Sequence, residues 1–137
     1  MAEPLTLKGF QIYQGFLDSQ QQAALVQDLR RVVQVAPLVS PVTPGGRQMS
    51  VRMTSAGRLG WVTDRSGYRY QDRHPDGGHW PEIPAQALAV WRAVSGAEAE
   101  PDCCLVNYYG EGARMGLHQD KDEGDFDTPV VSISLGD

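Results

Sequence analysis

The chain has 137 residues, 41% of them hydrophobic and 21% charged, with a net charge of −5. That length suffices for one domain with its own core, and the balance is that of a globular chain rather than a disordered one. No apolar run approaches a membrane span, and Met1-Ala2-Glu3-Pro4 lacks the basic and apolar regions of a secretory signal, so a cytoplasmic location is expected.

Residues 5–15 read as a short strand with Phe10, Ile12 and Tyr13 as its apolar content. Asp18 or Ser19 can cap a helix that runs to about Val35, because Leu25, Leu29, Val32 and Val33 recur at helical spacing. Pro37 ends it. Residues 41–46 form a breaker-rich loop, and residues 49–54 suit a strand. Residues 57–70 mix Gly, Arg and aromatics, which suits loops and a hairpin lying over something. Residues 71–84 are a turn-rich connector, with His74 and His79 expected at the surface. A second helix is expected from about Pro84 to Ser95, stopped by Gly96, with Leu88, Trp91 and Val94 as its buried stripe. Residues 103–109 read as a strand, 110–112 as a turn, 115–120 as extended chain and 121–128 as an acidic loop. Residues 129–135 alternate, with Val131, Ile133 and Leu135 on one side and Val130, Ser132 and Ser134 on the other. Helices first and strands later give an α+β chain with a β-rich core.

Charge is unevenly spread. Between residues 41 and 75 six arginines face only Asp64 and Asp72, a local balance of +4. Between residues 98 and 127 nine acids face Arg114 and Lys121, a balance of −7. Charge runs commonly form solvated faces, and the overall acidity argues against a general nucleic-acid binder. The functional alternative is a phosphate-facing lobe beside a metal-binding lobe. The two cysteines, Cys103 and Cys104, are adjacent, which disfavours a mutual disulfide and a structural zinc site. They read as small buried residues entering a strand.

The sharpest chemical signal is His118-Gln119-Asp120. On extended chain, residues i and i+2 point to one side, so an imidazole and a carboxylate can address one ion. With a distant histidine such a pair makes the facial triad of non-haem iron(II) oxygenases. As an isolated tripeptide it equally describes an exposed polar turn. The acids from Asp120 to Asp127 fail as a calcium loop, because Asp125 stands where an EF-hand needs glycine.

Around the pair stand Cys104-Leu105-Val106-Asn107-Tyr108-Tyr109 and the run PVVSISLG from Pro129 to Gly136. Upstream stand VTPGG, MSVRMT, GRLGW and GYRY, at residues 42–46, 49–54, 57–61 and 67–70. In this order and spacing the set resembles the AlkB family of DNA and RNA dealkylating dioxygenases, over residues 40–136. The resemblance implies a double-stranded β-helix (jelly-roll) core with outer helices: residues 1–40 as strand and outer helix, 41–80 as a nucleotide-recognition lid, 81–137 as a helix and the first core strands. It implies that His118 and Asp120 bind iron(II), and that Asn107 and Tyr109 hydrogen-bond the co-substrate 2-oxoglutarate. Trp61, Tyr68 and Tyr70 match lid aromatics flanking the damaged nucleotide, with Met53 near the lid pocket, Asp122 beside the base and Arg69 able to hold phosphate or base. Trp91 is expected in the core instead.

The implied reaction uses iron(II), 2-oxoglutarate and O2 to strip alkyl groups from bases of the N1-methyladenine or N3-methylcytosine type, releasing formaldehyde, succinate and CO2. Alkylated DNA is the expected partner, with RNA as an alternative, and the protein is expected to be a monomer. The family's second iron-binding histidine and its carboxylate-gripping arginines do not occur before Asp137. The expectation is therefore a C-terminally truncated chain whose 137 residues alone do not turn over 2-oxoglutarate. Competing readings are a catalytically incompetent nucleic-acid-binding remnant, and a related oxygenase acting on a protein or small molecule.

Overall fold

A computed structural model describes residues 5–7, 10–110 and 130–135. The expected extended segment at 115–120 and the acidic loop at 121–128, with His118, Asp120 and Asp122, lie outside the described residues. What is described mixes two helices with small antiparallel sheets.

The first expected strand is two. β1 (Leu5–Leu7) and β2 (Phe10–Ile12) pair antiparallel, with Leu5 opposite Ile12. Lys8-Gly9 is a turn signal that divides the apolar run. α1 (Ser19–Val35) is capped by Asp18, one of the two expected candidates, through a complete capping box. The Asp18 carboxylate accepts from the Gln21 backbone N–H at 2.7 Å, and the Gln21 side chain accepts from the Asp18 N–H at 2.9 Å. Leu25 and Val32, two turns apart, are buried. At the far end the Thr54 hydroxyl donates to the Ala36 carbonyl at 2.7 Å, tying the end of α1 to the next strand.

That strand, β3 (Arg52–Gly57), lies three residues later than the expected 49–54. Met53, Thr54, Ser55 and Ala56 are all buried, so both faces are covered. Small residues at 54–57 suit close packing better than their modest strand propensity suggests. β3 pairs along its whole length with β6 (Cys103–Tyr108), antiparallel, with Met53 opposite Asn107. On its other edge, Val39 and Met53 exchange backbone hydrogen bonds of 2.8 Å.

Between them in sequence is the expected hairpin, β4 (Gly60–Asp64) and β5 (Gly67–Gln71), joined by Arg65-Ser66. Trp61 stands opposite Tyr70, Thr63 opposite Tyr68 and Val62 opposite Arg69. Opposed residues share a face. One face therefore carries Trp61, Thr63, Tyr68 and Tyr70, and the other carries Val62. Val62 packs in a buried cluster with Ala36 and Trp80.

α2 (Ala85–Ser95) ends at Gly96, whose φ of 68° is the left-handed cap that glycine adopts without strain. Its buried residues are Ala87, Val90 and Trp91, so the expected stripe is rotated: Trp91 holds, while Leu88 and Val94 are half-buried. Trp91 donates its indole N–H to the Ala99 carbonyl at 3.1 Å, as a core tryptophan should. Cys103 and Cys104 are free and half-buried rather than fully buried. Burial pushes the Cys104 thiol up to about 11, which keeps it protonated and unreactive at neutral pH. Residues 130–135 form no assigned strand, yet Val131, Ile133 and Leu135 are less exposed than Val130, Ser132 and Ser134, the alternation expected. Among the described residues no helix is long and apolar enough to cross a membrane.

Candidate functional site

A cavity of about 390 Å³ opens between the β4–β5 hairpin, β3 and the 39–42 segment. Met53, Trp61 and Arg69 line it, with His74 and Trp80 behind. Three of the sequence-predicted substrate residues thus meet around one space, whose volume lies within the usual range for small-ligand pockets.

Trp61 is the pivotal wall. It is half-buried and stacks on Tyr68, ring centroids 5.5 Å apart and planes 26° from parallel. Tyr70 lies on the same face, directly across from Trp61. Cross-strand aromatic pairing needs the strict i, i+2 alternation that GYRY supplies. The result is a broad π surface, with Tyr68 half exposed to solvent.

Arg69 is engaged on its own hairpin. Its Nη1 and Nη2 donate to the two carboxylate oxygens of Asp64, each at 2.9 Å, and its Nε donates to the Gln71 side chain at 3.0 Å. The Ser66 backbone N–H also donates to Asp64, at 2.8 Å. These donors, Arg69 foremost, hold the Asp64 carboxyl at about 2. Asp64 is therefore ionised at neutral pH, its charge already answered within the hairpin.

His74 departs from expectation. It is buried, not a surface histidine, while His79 is exposed. One ring nitrogen, Nε2, lies 2.7 Å from the Pro37 carbonyl, and Nδ1 accepts from the Asp76 backbone N–H at 3.0 Å. The Asp76 carboxylate also lies 3.0 Å from Nδ1, so both ring nitrogens are engaged. The ring also meets Trp80 edge-on at 5.3 Å. His74 therefore fastens the connector to the end of α1. His74→Phe keeps the ring but orphans the Pro37 carbonyl and the Asp76 N–H. It is expected to cost about 1–3 kcal/mol, read as a lower urea midpoint at unchanged m-value.

Val39, Met53 and Asn107 form a row across three neighbouring chain segments. Opposed residues share a face, so Asn107 lies on the side of the β3–β6 sheet that Met53 presents to the cavity. Asn107 does not itself line the cavity, and both it and Tyr109 are exposed. On the opposite face Arg52 lies over the Tyr108 ring at 4.7 Å. His118, Asp120 and Asp122 fall outside the described residues, so their relation to this row is not part of the described geometry. Sequence reasoning missed His74 and Trp80 as walls. Their signal was buried in a stretch dominated by Pro, Asp and Gly.

The sequence profile of the 2OG-Fe(II) oxygenase superfamily matches residues 9–137. The chain belongs to that superfamily. The chain is 50% identical to the alpha-ketoglutarate-dependent dioxygenase AlkB homolog of Caulobacter vibrioides strain NA1000, a match covering 100% of this chain and 63% of the relative. It is 47% identical to the AlkB dioxygenase of Salmonella typhimurium and 44% identical to that of Escherichia coli, each over 82% of this chain. Those matches cover 55% and 54% of the respective relatives, so the chain spans less than two thirds of the curated relatives it matches.

Iron(II) and 2-oxoglutarate are the groups this superfamily uses. The chain's donor chemistry fits them in part. An imidazole and a carboxylate two residues apart suit iron(II), and the Asn107 amide can donate to a carboxylate such as that of 2-oxoglutarate. Among the described residues no group of three His, Cys, Asp or Glu could hold a metal.

Proposed function

We propose that the protein is an iron(II)- and 2-oxoglutarate-dependent dioxygenase that removes alkyl groups from nucleic-acid bases of the N1-methyladenine or N3-methylcytosine type, acting on alkylated DNA. The observation that carries this reading is Trp61, which stacks on Tyr68 and also lines the cavity. An adenine alkylated at N1 or a cytosine alkylated at N3 is cationic and pairs poorly, so it leaves the stack at low cost. A cationic base is attracted to an indole face. The relatives' names, dioxygenases dependent on alpha-ketoglutarate, support the same chemistry.

In this reading the core is a jelly roll and residues 41–80 form the lid over the base. Met53, Trp61, Tyr68 and Tyr70 contact the nucleotide, and Arg69 shapes the hairpin that presents them. Asp122 faces the cationic base. His118 and Asp120 hold the iron, and Asn107 and Tyr109 hydrogen-bond 2-oxoglutarate. Bound together, iron(II), 2-oxoglutarate and O2 supply the oxidation of the N-alkyl carbon, while the protein supplies orientation and a dry pocket.

The test is formaldehyde release by the full-length gene product from oligonucleotides bearing N1-methyladenine or N3-methylcytosine. Release from neither lesion, with 2-oxoglutarate consumed on a peptide or small molecule instead, overturns the reading. Trp61→Ala is expected to lower kcat/KM for the lesion roughly 5- to 150-fold, since base stacking on an aromatic side chain contributes about 1–3 kcal/mol. Trp61→Phe retains most of it.

A further inference from the structure

The six arginines between residues 41 and 75 are not equivalent. Arg58 donates to Asp102 at 2.6 Å, and Arg69 is held by Asp64. Arg52 lies over Tyr108, and Arg73 donates to the Gly77 carbonyl at 3.0 Å. Among the described residues the side chains of Arg47 and Arg65 enter no ion pair and no hydrogen bond, and both are exposed.

These two are brought together by two turns. Arg65 opens the two-residue link of the β4–β5 hairpin. Its guanidinium lies against the turn at Gly46: a Cβ there would stand 3.0 Å from Nη2 and 3.1 Å from Cζ. Gly46 also has φ +88, a backbone conformation that favours glycine. Arg47 is the next residue. The turn is rigid, because Thr43 and Arg47 are tied by backbone N–H to carbonyl at 2.8 Å, and the Arg47 N–H donates to the Thr43 hydroxyl at 3.1 Å. Asp64, the residue before Arg65, lines the cavity, as does Val42, which bridges to Gln48, the residue after Arg47.

Two exposed cations on adjoining turns, with no counterion among the described residues, suit a polyanion. Resting on the nucleic-acid reading above, we propose that Arg47 and Arg65 form a phosphate-binding pair on the cavity rim, which grips the single-stranded backbone flanking the base in the cavity. Base recognition and backbone recognition are then divided: the aromatic face holds the base, and the two turns hold its phosphates. Arg58 and Arg69, already neutralised, contribute little to backbone affinity.

The division is read from salt dependence. The affinity of the full-length protein for an unmodified single-stranded oligonucleotide is measured by fluorescence anisotropy across a salt series. For single strands each phosphate contact adds about 0.7 to the slope of log K against log salt. Arg47→Gln and Arg65→Gln are each expected to lower the slope by about 0.7, and the double variant by about 1.4. Arg65→Lys keeps the charge and the slope. Arg58→Gln leaves the slope unchanged. Slopes unaltered in the double variant overturn the assignment, as does an equal fall for Arg58→Gln, which would report only general positive charge. Because an unmodified strand is the probe, the outcome is independent of turnover. Formaldehyde release with an unaltered slope removes the rim pair and leaves the dealkylase reading standing.

Discussion

Gly60→Ala is expected to lose about 3 kcal/mol of stability, the upper part of the usual range for an added core methyl. A Cβ at Gly60 would stand 2.1 Å and 2.2 Å from ring carbons of Trp80. Backbone conformation is not the obstacle, since Gly60 is not among the glycines with positive φ. The obstacle is that Trp80 has nowhere to go. Its indole N–H donates to the Gln71 carbonyl at 2.9 Å, its ring meets His74, and it packs with Ala36 and Val62. Trp80→Ala alone is expected to cost about 3–5 kcal/mol as a large-to-small core change. The decisive measurement is the double variant by urea denaturation. With the indole gone, the new methyl enters vacated space, so the double variant should cost about 2–3 kcal/mol less than the sum of the singles. Additive costs would show that the two residues do not meet.

This contact also explains what could and could not be read from the chain. GRLGW stands out as a motif for its tryptophan, but both of its glycines serve packing. Gly57 has φ 121°, and a Cβ there would lie 2.5 Å from the Asp102 carbonyl oxygen, while Gly60 makes room for Trp80. Neither partner is near in sequence, so local pattern gives no hint of them. Features fixed by neighbours a few residues apart are legible: a cap at Asp18 or Ser19, the length of α1, the Gly96 stop, and a hairpin within residues 57–70. Features fixed by distant contacts are not. The register of β3 follows its ladder with β6, whose paired residues run from Gly57 with Cys103 to Arg52 with Tyr108, and not the apolar run at 49–54. The burial of His74 follows from the Pro37 carbonyl, although its own neighbours, Pro75, Asp76 and Gly77, spell an exposed turn. The cavity is likewise a product of assembly. Its walls come from the 39–42 segment, β3, β4, β5 and the connector, and no one stretch announces them.

His118→Ala is expected to reduce formaldehyde release to the background of the enzyme-free reaction and to abolish iron retention after anaerobic desalting. The chain has three histidines. His74 has both ring nitrogens committed, one at the Pro37 carbonyl and one at the Asp76 N–H, so it has no lone pair to offer a metal without breaking the connector. His79 is exposed and sits in an isolated bridge with Arg73. That leaves His118, two residues from Asp120, where extended chain would direct a neutral imidazole and a carboxylate to the same ion. Losing one of so few protein ligands removes both affinity and the fixed arrangement of open positions that co-substrate and O2 need. Asp120→Ala is expected to fail in the same two assays, and His79→Ala to pass both. The pairing of readouts matters, because a variant that keeps its iron but loses turnover points to a role in orientation, and one that keeps both places the metal elsewhere. Only joint loss at His118 and Asp120, with His79 silent, fits a ferrous ion held by that pair.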